Sequence, residues 1–432
     1  MLVTKVVAAV AALLPTAAHA EGPLSSCPNV PPIRYPFNLA PGWSATKVLG
    51  KLTSPRSLVV DSAGRLLIVE QGVGVSQHLV DPDGCVAGSR NLISLPALSH
   101  AIYLATDQKV LYASSPTTVF AWTYDPTSGD VGGSPQVVVR SMSKDGHQSR
   151  SLIIPPDHPE ILVVSHGSDN NIDPTTSNPL TGRAIVKAFN ITTSPSTGYN
   201  FVYDGWWVGY GLRNSLGLAL DRNNMLWAVE NSARHLTREV QGNVSDINQG
   251  NPAEEINFLG DVSVLQYTWF GFPVCYTVWT PSKAIMRNET TEYEVGDQFV
   301  LAPNPSFQDD TCIQMSTPPK LGLPAHSEPY DAKFDAPKYD NLFVTLHGSW
   351  DVFPSVGYKL VAVPFGSGAG GFSPVAQVTN TSGYVDILYP YNEGNCSSGN
   401  CTRPTSIVFD AAGRLYLTSD TSGEVFVLKG PE

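Results

Sequence analysis

One phrase recurs six times along this chain: a polar cluster, an apolar run, a turn built on Asp, Gly or Asn, and a second apolar run. It begins at Arg56 (RSLVVDSAGRLLIVEQG), Ser99 (SHAIYLATDQKVLYASS), His147 (HQSRSLIIPPDHPEILVVSHG), Arg213 (RNSLGLALDRNNMLWAVEN), His326 (HSEPYDAKFDAPKYDNLFVTLHG) and Arg403 (RPTSIVFDAAGRLYLTSD). The runs are rich in Val, Ile, Leu, Tyr and Thr, and helical periodicity is scarce. One such hairpin cannot bury its apolar faces alone, whereas a closed set of them can. Six strand–turn–strand units with no helices between them predict an all-β, six-bladed β-propeller. A pair of β-sandwiches is the alternative fold. Closure is expected from residues near 45–50, or further upstream, pairing into the last blade. The excess length falls between Asp221 and Pro324, which predicts long loops over the channel mouth, where loops cover or build sites.

The bulk properties narrow the class. Residues 1–20, MLVTKVVAAVAALLPTAAHA, read as a secretory signal peptide cut after Ala20. Residues 21–432 are then a single propeller domain of an extracellular protein. The apolar stretch is too short for a membrane anchor, and no membrane partner is expected. All six cysteines follow the cleavage site, which implies disulfides, with a local staple between Cys396 and Cys401. Glycosylation sequons stand at Asn190, Asn243, Asn288, Asn380, Asn395 and Asn400. A net charge of -12 argues against nucleic acid, which needs a basic footprint.

In a propeller the innermost strand of each blade runs along the central channel. The polar cluster precedes that strand every time, so all six clusters converge at one mouth. They bring Arg56, Ser99 and His100, His147 to Arg150, Arg213 and Asn214, His326 and Ser327, and Arg403. Polar, wet channels are common in propellers, and any one of these residues could be ordinary. Several guanidiniums in one pocket, however, repel each other unless an anion joins them, and Arg clamps carboxylates bidentately. A small polyanion is therefore expected there. Nearby, Glu230, Asn231 and Ser232, with Glu254 and Glu255, offer the oxygen donors that suit Ca²⁺.

Taken in order, DGHQSR with GSDNN, GLRNSLGLALD, ENSA…GNPAEEIN, LPAHSEP, LHGSWD…GYKL and TRPTSIVFD resemble the soluble PQQ-dependent sugar dehydrogenases. The likeness covers nearly the whole mature chain and looks nearest to the fungal pyranose dehydrogenases of carbohydrate auxiliary-activity family 12. The resemblance implies that His147 deprotonates the sugar hydroxyl while hydride passes to the PQQ C5 carbonyl, with Asp169 orienting the histidine. It implies that Arg213 and Asn214 contact the quinone oxygens and that Arg56 and Arg403 clamp the cofactor carboxylates. Ser99, His100, Arg150, His326 and Trp350 complete the implied cofactor pocket. Glu230, Asn231, Ser232 and Glu254 lie where that family holds Ca²⁺, partly through backbone carbonyls and water. Gln148 is placed toward the sugar, and Tyr267 and Trp269 lie in the long loop, where sugar stacking is expected. The chain departs from bacterial relatives at Val352, where a basic residue is common, at Ser99-His100, and from Arg234 to Gly250.

The reading is a secreted oxidoreductase that oxidises C1 of an aldose or 2-keto-aldose to the lactone with PQQ and Ca²⁺. No CxxCH haem motif is present, so an external acceptor (a cytochrome, a quinone or a secreted redox enzyme) takes the electrons. The protein is expected to work as a monomer. A calcium-dependent lactonase on the same architecture and a non-catalytic binding propeller are the alternatives.

Overall fold

The computed structural model describes residues 23–282, 292–368 and 370–431. The expected signal peptide and the Asn288 sequon lie outside the described residues. Six antiparallel sheets follow one another in chain order around an axis, as the repeat predicted, and make a six-bladed propeller. Their inner strands are Pro55–Val60, Ile102–Leu104, Leu152–Ile153, Ser215–Leu220, Pro329–Phe334 and Pro404–Phe409. Each pairs antiparallel with the second strand of its own phrase, for example Leu66–Glu70 in blade 1 and Leu226–Glu230 in blade 4.

The turn residues explain the repeated phrase. In blades 1, 4 and 6 an Asp ends the inner strand and its side chain caps the turn. Asp61 Oδ1 accepts from the Ala63 and Arg65 amides at 3.0 and 2.8 Å. Asp221 Oδ1 accepts from Asn223 and Met225 at 2.7 and 3.1 Å. Asp410 Oδ1 accepts from Ala412 and Arg414, both at 2.9 Å. An Asp side chain that satisfies amides two and four residues on fixes the reversal locally.

The second strands, LLIVE, VLYAS, NLFVTL and LYLTS among them, are buried nearly throughout. A blade is covered on both faces by its neighbours, so its middle strands read as continuous apolar runs instead of alternating ones. The core consists of the layers between blades, such as Val229, Ile256, Leu323, Leu342, Val344 and Val361 between blades 4 and 5.

Closure comes from the N-terminal side. Ser44–Leu49 pairs antiparallel with Glu424–Lys429 and supplies the outer strand of blade 6. Leu24–Ser26 adds to it in parallel, and Phe37–Leu39 pairs onto the outer strand of blade 5. The long excursions sit in blade 4. One, from Asn231 to Ala253, carries the hairpin Thr237–Val240/Asn243–Asp246. The other, after Gly260, carries the hairpin Cys275–Thr277/Gln298–Val300 and the helix Asp309–Met315, stapled by Cys275–Cys312. The other disulfides are Cys27–Cys85 and the expected local Cys396–Cys401. No helix among the described residues is long and apolar enough to cross a membrane.

Candidate functional site

Blades 3, 4, 5 and 6 each send two segments to one end of the channel, the turn entering the inner strand and the loop leaving the second strand, and blade 1 adds Arg56 from its entering turn. Together they line a cavity of about 500 Å³ with Arg56, His147, Asp169, Arg213, Asn214, Asn231, Arg234, Glu328, Tyr330, His347, Trp350, Arg403 and Asp420, among others. A volume of that size suits one drug-sized ligand.

His147 sits in a turn forced tight by glycine. Gly146 has φ +59°, and a Cβ there would lie 2.2 Å from the Asp169 carbonyl oxygen. The His147 amide and its ring Nδ1 both meet the Ser168 carbonyl oxygen, at 3.1 and 2.8 Å. A carbonyl only accepts, so the proton belongs on Nδ1 and the Nε2 lone pair is left toward the cavity. Burial, and next the Arg213 guanidinium, push the imidazole's protonation down to about 3. The ring is therefore a neutral acceptor at ordinary pH.

Four guanidiniums face the cavity. Arg56 pairs with Asp420 at 3.1 Å and lies 4.8 Å from the Tyr330 ring centre. Arg403 lies 3.4 Å from Glu328 and donates to the His347 carbonyl at 3.1 Å. Arg213 spends its donors on the Asn171 and Asn231 carbonyls and on Asn171 Oδ1. Arg234 binds Glu328, and its guanidinium carbon lies 4.9 Å from the Trp350 ring centre. Burial works to raise the Glu328 carboxyl, but His347, Arg234 and Arg403 outweigh it and hold it below its ordinary value.

Of the residues the sequence singled out, the cavity gathers Arg56, His147, Asp169, Arg213, Asn214, Asn231, Trp350 and Arg403. The others lie elsewhere, for physical reasons. Arg150 is fully buried and donates to the Pro116, His147, Ser149 and Ser143 carbonyls at 2.9, 2.5, 2.7 and 2.5 Å. Its guanidinium holds the histidine turn from behind. Ser99 donates weakly to the Gln148 carbonyl. His100 lines a second, 150 Å³ cavity further down the channel, behind Tyr330, where burial keeps it neutral. His326 is tied to the Asn248 carbonyl at 2.5 Å and to Asp351 at 3.3 Å, which latches the Asn231–Ala253 excursion onto blade 5. Asp169 pairs with Arg183 at 2.9 Å and is not the group behind the His147 ring. Gln148 is exposed and donates to the Lys144 carbonyl. Tyr267 stands exposed beside Trp207, and Trp269 donates to the Phe272 carbonyl, both outside the cavity.

The expected calcium donors do not converge. Glu230 accepts from the Arg213 amide at 2.5 Å and from Asn257 at 3.3 Å. Glu254 accepts from the Ser232 amide at 2.5 Å, and burial lifts its carboxyl to about 7. The Asn231 amide group donates to the Pro329 carbonyl. Among the described residues no three acidic, His or Cys side chains form a metal cluster. These side chains by themselves do not make a calcium cage; main-chain carbonyls and water would have to supply the remaining donors.

Asn171, Arg234, His235, Glu328, Tyr330, His347 and Asp420 line the cavity without having been singled out. Asn171, Arg234, His235, His347 and Asp420 share a signal: each follows the second strand of its phrase and so returns to the mouth.

The sequence matches the TrAA12-like family model over residues 37–431. The chain belongs to the TrAA12-like family. A Coprinopsis cinerea protein named pyrroloquinoline quinone-dependent pyranose dehydrogenase is 38% identical over 411 residues, covering 94% of this chain. This chain spans 56% of that relative's length. A Hypocrea jecorina protein named pyrroloquinoline quinone-dependent sugar dehydrogenase is 34% identical, with 92% of this chain and 90% of that one covered. The solved holo form of the pyranose dehydrogenase PQQ domain from Coprinopsis cinerea superposes with a TM-score of 0.90 at 38% identity, over 94% of this chain and all of that domain. The TrAA12-like match thus covers every blade.

Proposed function

We propose that this chain is a secreted PQQ-dependent dehydrogenase that oxidises C1 of an aldose or 2-keto-aldose to the lactone. The observation that carries the reading is the free Nε2 of a neutral His147 facing a cavity ringed by four guanidiniums. The relatives' names supply the cofactor and the substrate class.

The donor set suits a planar polycarboxylate. Arg56 and Arg403, on blades 1 and 6, are placed to hold its carboxylates. Tyr330 and Trp350 offer ring faces in the same cavity. PQQ, when bound, supplies the two-electron acceptor for the hydride that leaves the sugar carbon. His147 Nε2 takes the hydroxyl proton, and the Nδ1–H bond to Ser168 keeps the lone pair aimed at it. Arg213 and Asn214 lie beside His147 and stabilise negative charge that develops during the transfer. The buried wall behind His147, sealed by Arg150 and its four carbonyls, fixes the base without a carboxylate partner. Electrons then pass to an external acceptor. No step here runs through a metal ion.

The test is dye reduction. The purified protein is incubated with PQQ and Ca²⁺, given a panel of aldoses and 2-keto-aldoses, and monitored with an artificial electron acceptor. PQQ-dependent reduction with at least one sugar is expected. Its absence across the panel, or lactone hydrolysis without reduction, rejects the reading.

A further inference from the structure

Arg234 enters the cavity from the Asn231–Ala253 excursion, a segment outside the repeated phrase. Its guanidinium carbon lies over the Trp350 ring, 4.9 Å from the ring centre. One end reaches Glu328, and Nη1 stands 3.6 Å from Asp351 with no hydrogen-bond partner although it is buried. A guanidinium presents five N–H donors in a fixed fork, and this one leaves donors unused at the cavity wall.

The local charge count points the same way. Arg56 has Asp420 to itself among the lining guanidiniums. Arg234 and Arg403 share the single carboxylate of Glu328. Asp351 is shared with His326. The Arg213 guanidinium meets only amide and carbonyl oxygens, while its main-chain amide donates to the Glu230 carboxylate. The four lining guanidiniums thus face three lining carboxylates, Asp169, Glu328 and Asp420, and Asp169 is taken by Arg183. The guanidiniums short of a carboxylate of their own are therefore Arg213, Arg234 and Arg403. A ligand carboxylate at the Arg234 edge makes up that shortfall.

We infer that Arg234, seated over the Trp350 ring, is an anchor for an outer carboxylate of the cofactor. This rests on the PQQ reading above and adds a binding residue to it. Trp350 then acts through Arg234, fixing the fork before the cofactor arrives, so less freedom is lost on binding.

The test compares PQQ with its trimethyl ester, which keeps the quinone and removes the charges. Binding is followed by quenching of intrinsic fluorescence in wild type, Arg234→Gln and Arg234→Lys. Arg234→Gln is expected to weaken PQQ binding about 10- to 100-fold, the effect of losing one charge-assisted contact, and to change ester binding less than about threefold. Arg234→Lys keeps a point charge without the fork; PQQ affinity between the other two, with ester binding as in wild type, supports the anchor. Equal PQQ affinity in all three proteins overturns the inference while leaving the PQQ reading intact. Parallel loss of acid and ester in both variants also overturns it, because Arg234 would then only hold the excursion in place. A wild-type protein that binds neither compound rejects the PQQ reading and this inference together.

Discussion

Arg150→Lys separates a cofactor contact from a scaffold contact. Arg150 donates to four main-chain carbonyls at 2.5–2.9 Å. Lys brings three donors from a single point and no fork, so at least one carbonyl, and by geometry two, lose their partner. Each buried orphan costs about 1–3 kcal/mol, so two give a loss of about 2–6 kcal/mol. Unfolding entropy of about 2.1 cal/mol/K per residue makes that a fall of roughly 2–7 °C in Tm for a chain of this length. The His147 carbonyl is one of the four, so the base also shifts, and about a 10- to 100-fold loss of kcat is expected from a displacement near 1 Å. Thermal melting of the cofactor-free protein and a PQQ fluorescence titration are run side by side. The expected pattern is a lower Tm with PQQ affinity within about tenfold of wild type. An unchanged Tm with a large loss of PQQ affinity would refute the reasoning and return Arg150 to the cofactor pocket.

Other outcomes follow from the same geometry. His147 must be neutral to act, and in the cofactor-free protein burial with Arg213 lowers its pKa to about 3. A bound polyanion offsets Arg213 but not the burial, so the acid limb of kcat/KM for the holoenzyme is expected between about 3 and the ordinary 6.5; a limb at or above 6.5 contradicts this. Asp169→Asn is expected to cost less than about tenfold in kcat, because Ser168 and not Asp169 holds the ring. A loss near the 10⁴ seen when a triad carboxylate is removed would put the acid behind the histidine. Glu254→Gln keeps an acceptor for the Ser232 amide, so the calcium concentration giving half-maximal dye reduction should move less than about threefold, whereas a shift beyond tenfold, about 1.4 kcal/mol, would make Glu254 a ligand.

The blades were legible because one phrase repeats: Asp-capped turns such as those at Asp61, Asp221 and Asp410 recur with the strands they join. The positions of His147, Arg213 and Arg403 at the mouth followed from where they stand in the phrase. Residue type alone misled at Arg150 and His326. Arg150 is consumed by the carbonyls of its own turn and of Pro116 in blade 2, and His326 by the Asn248 carbonyl of the blade 4 excursion and by Asp351 of its own blade. The cavity residues Arg234 and Glu328 were hidden for the converse reason. Arg234 lies in the long excursion, and Glu328 looked like an ordinary loop acid until it met Arg234, His347 and Arg403. Such pairings cross blades and leave no trace in local sequence. Tyr267 and Trp269 were placed by loop membership, and the excursion after Gly260 packs them outside the cavity.

The most direct measurement is a single-turnover one. Protein loaded with PQQ is mixed anaerobically with the best sugar from the panel, and reduction of the cofactor is followed by its absorbance in wild type and in His147→Ala. The expected result is rapid reduction in wild type and about 10²- to 10⁴-fold slower reduction in His147→Ala, with PQQ still bound. Reduction in His147→Ala at the wild-type rate, or none in wild type with any sugar, would contradict the assignment of His147 as the base of a sugar dehydrogenase.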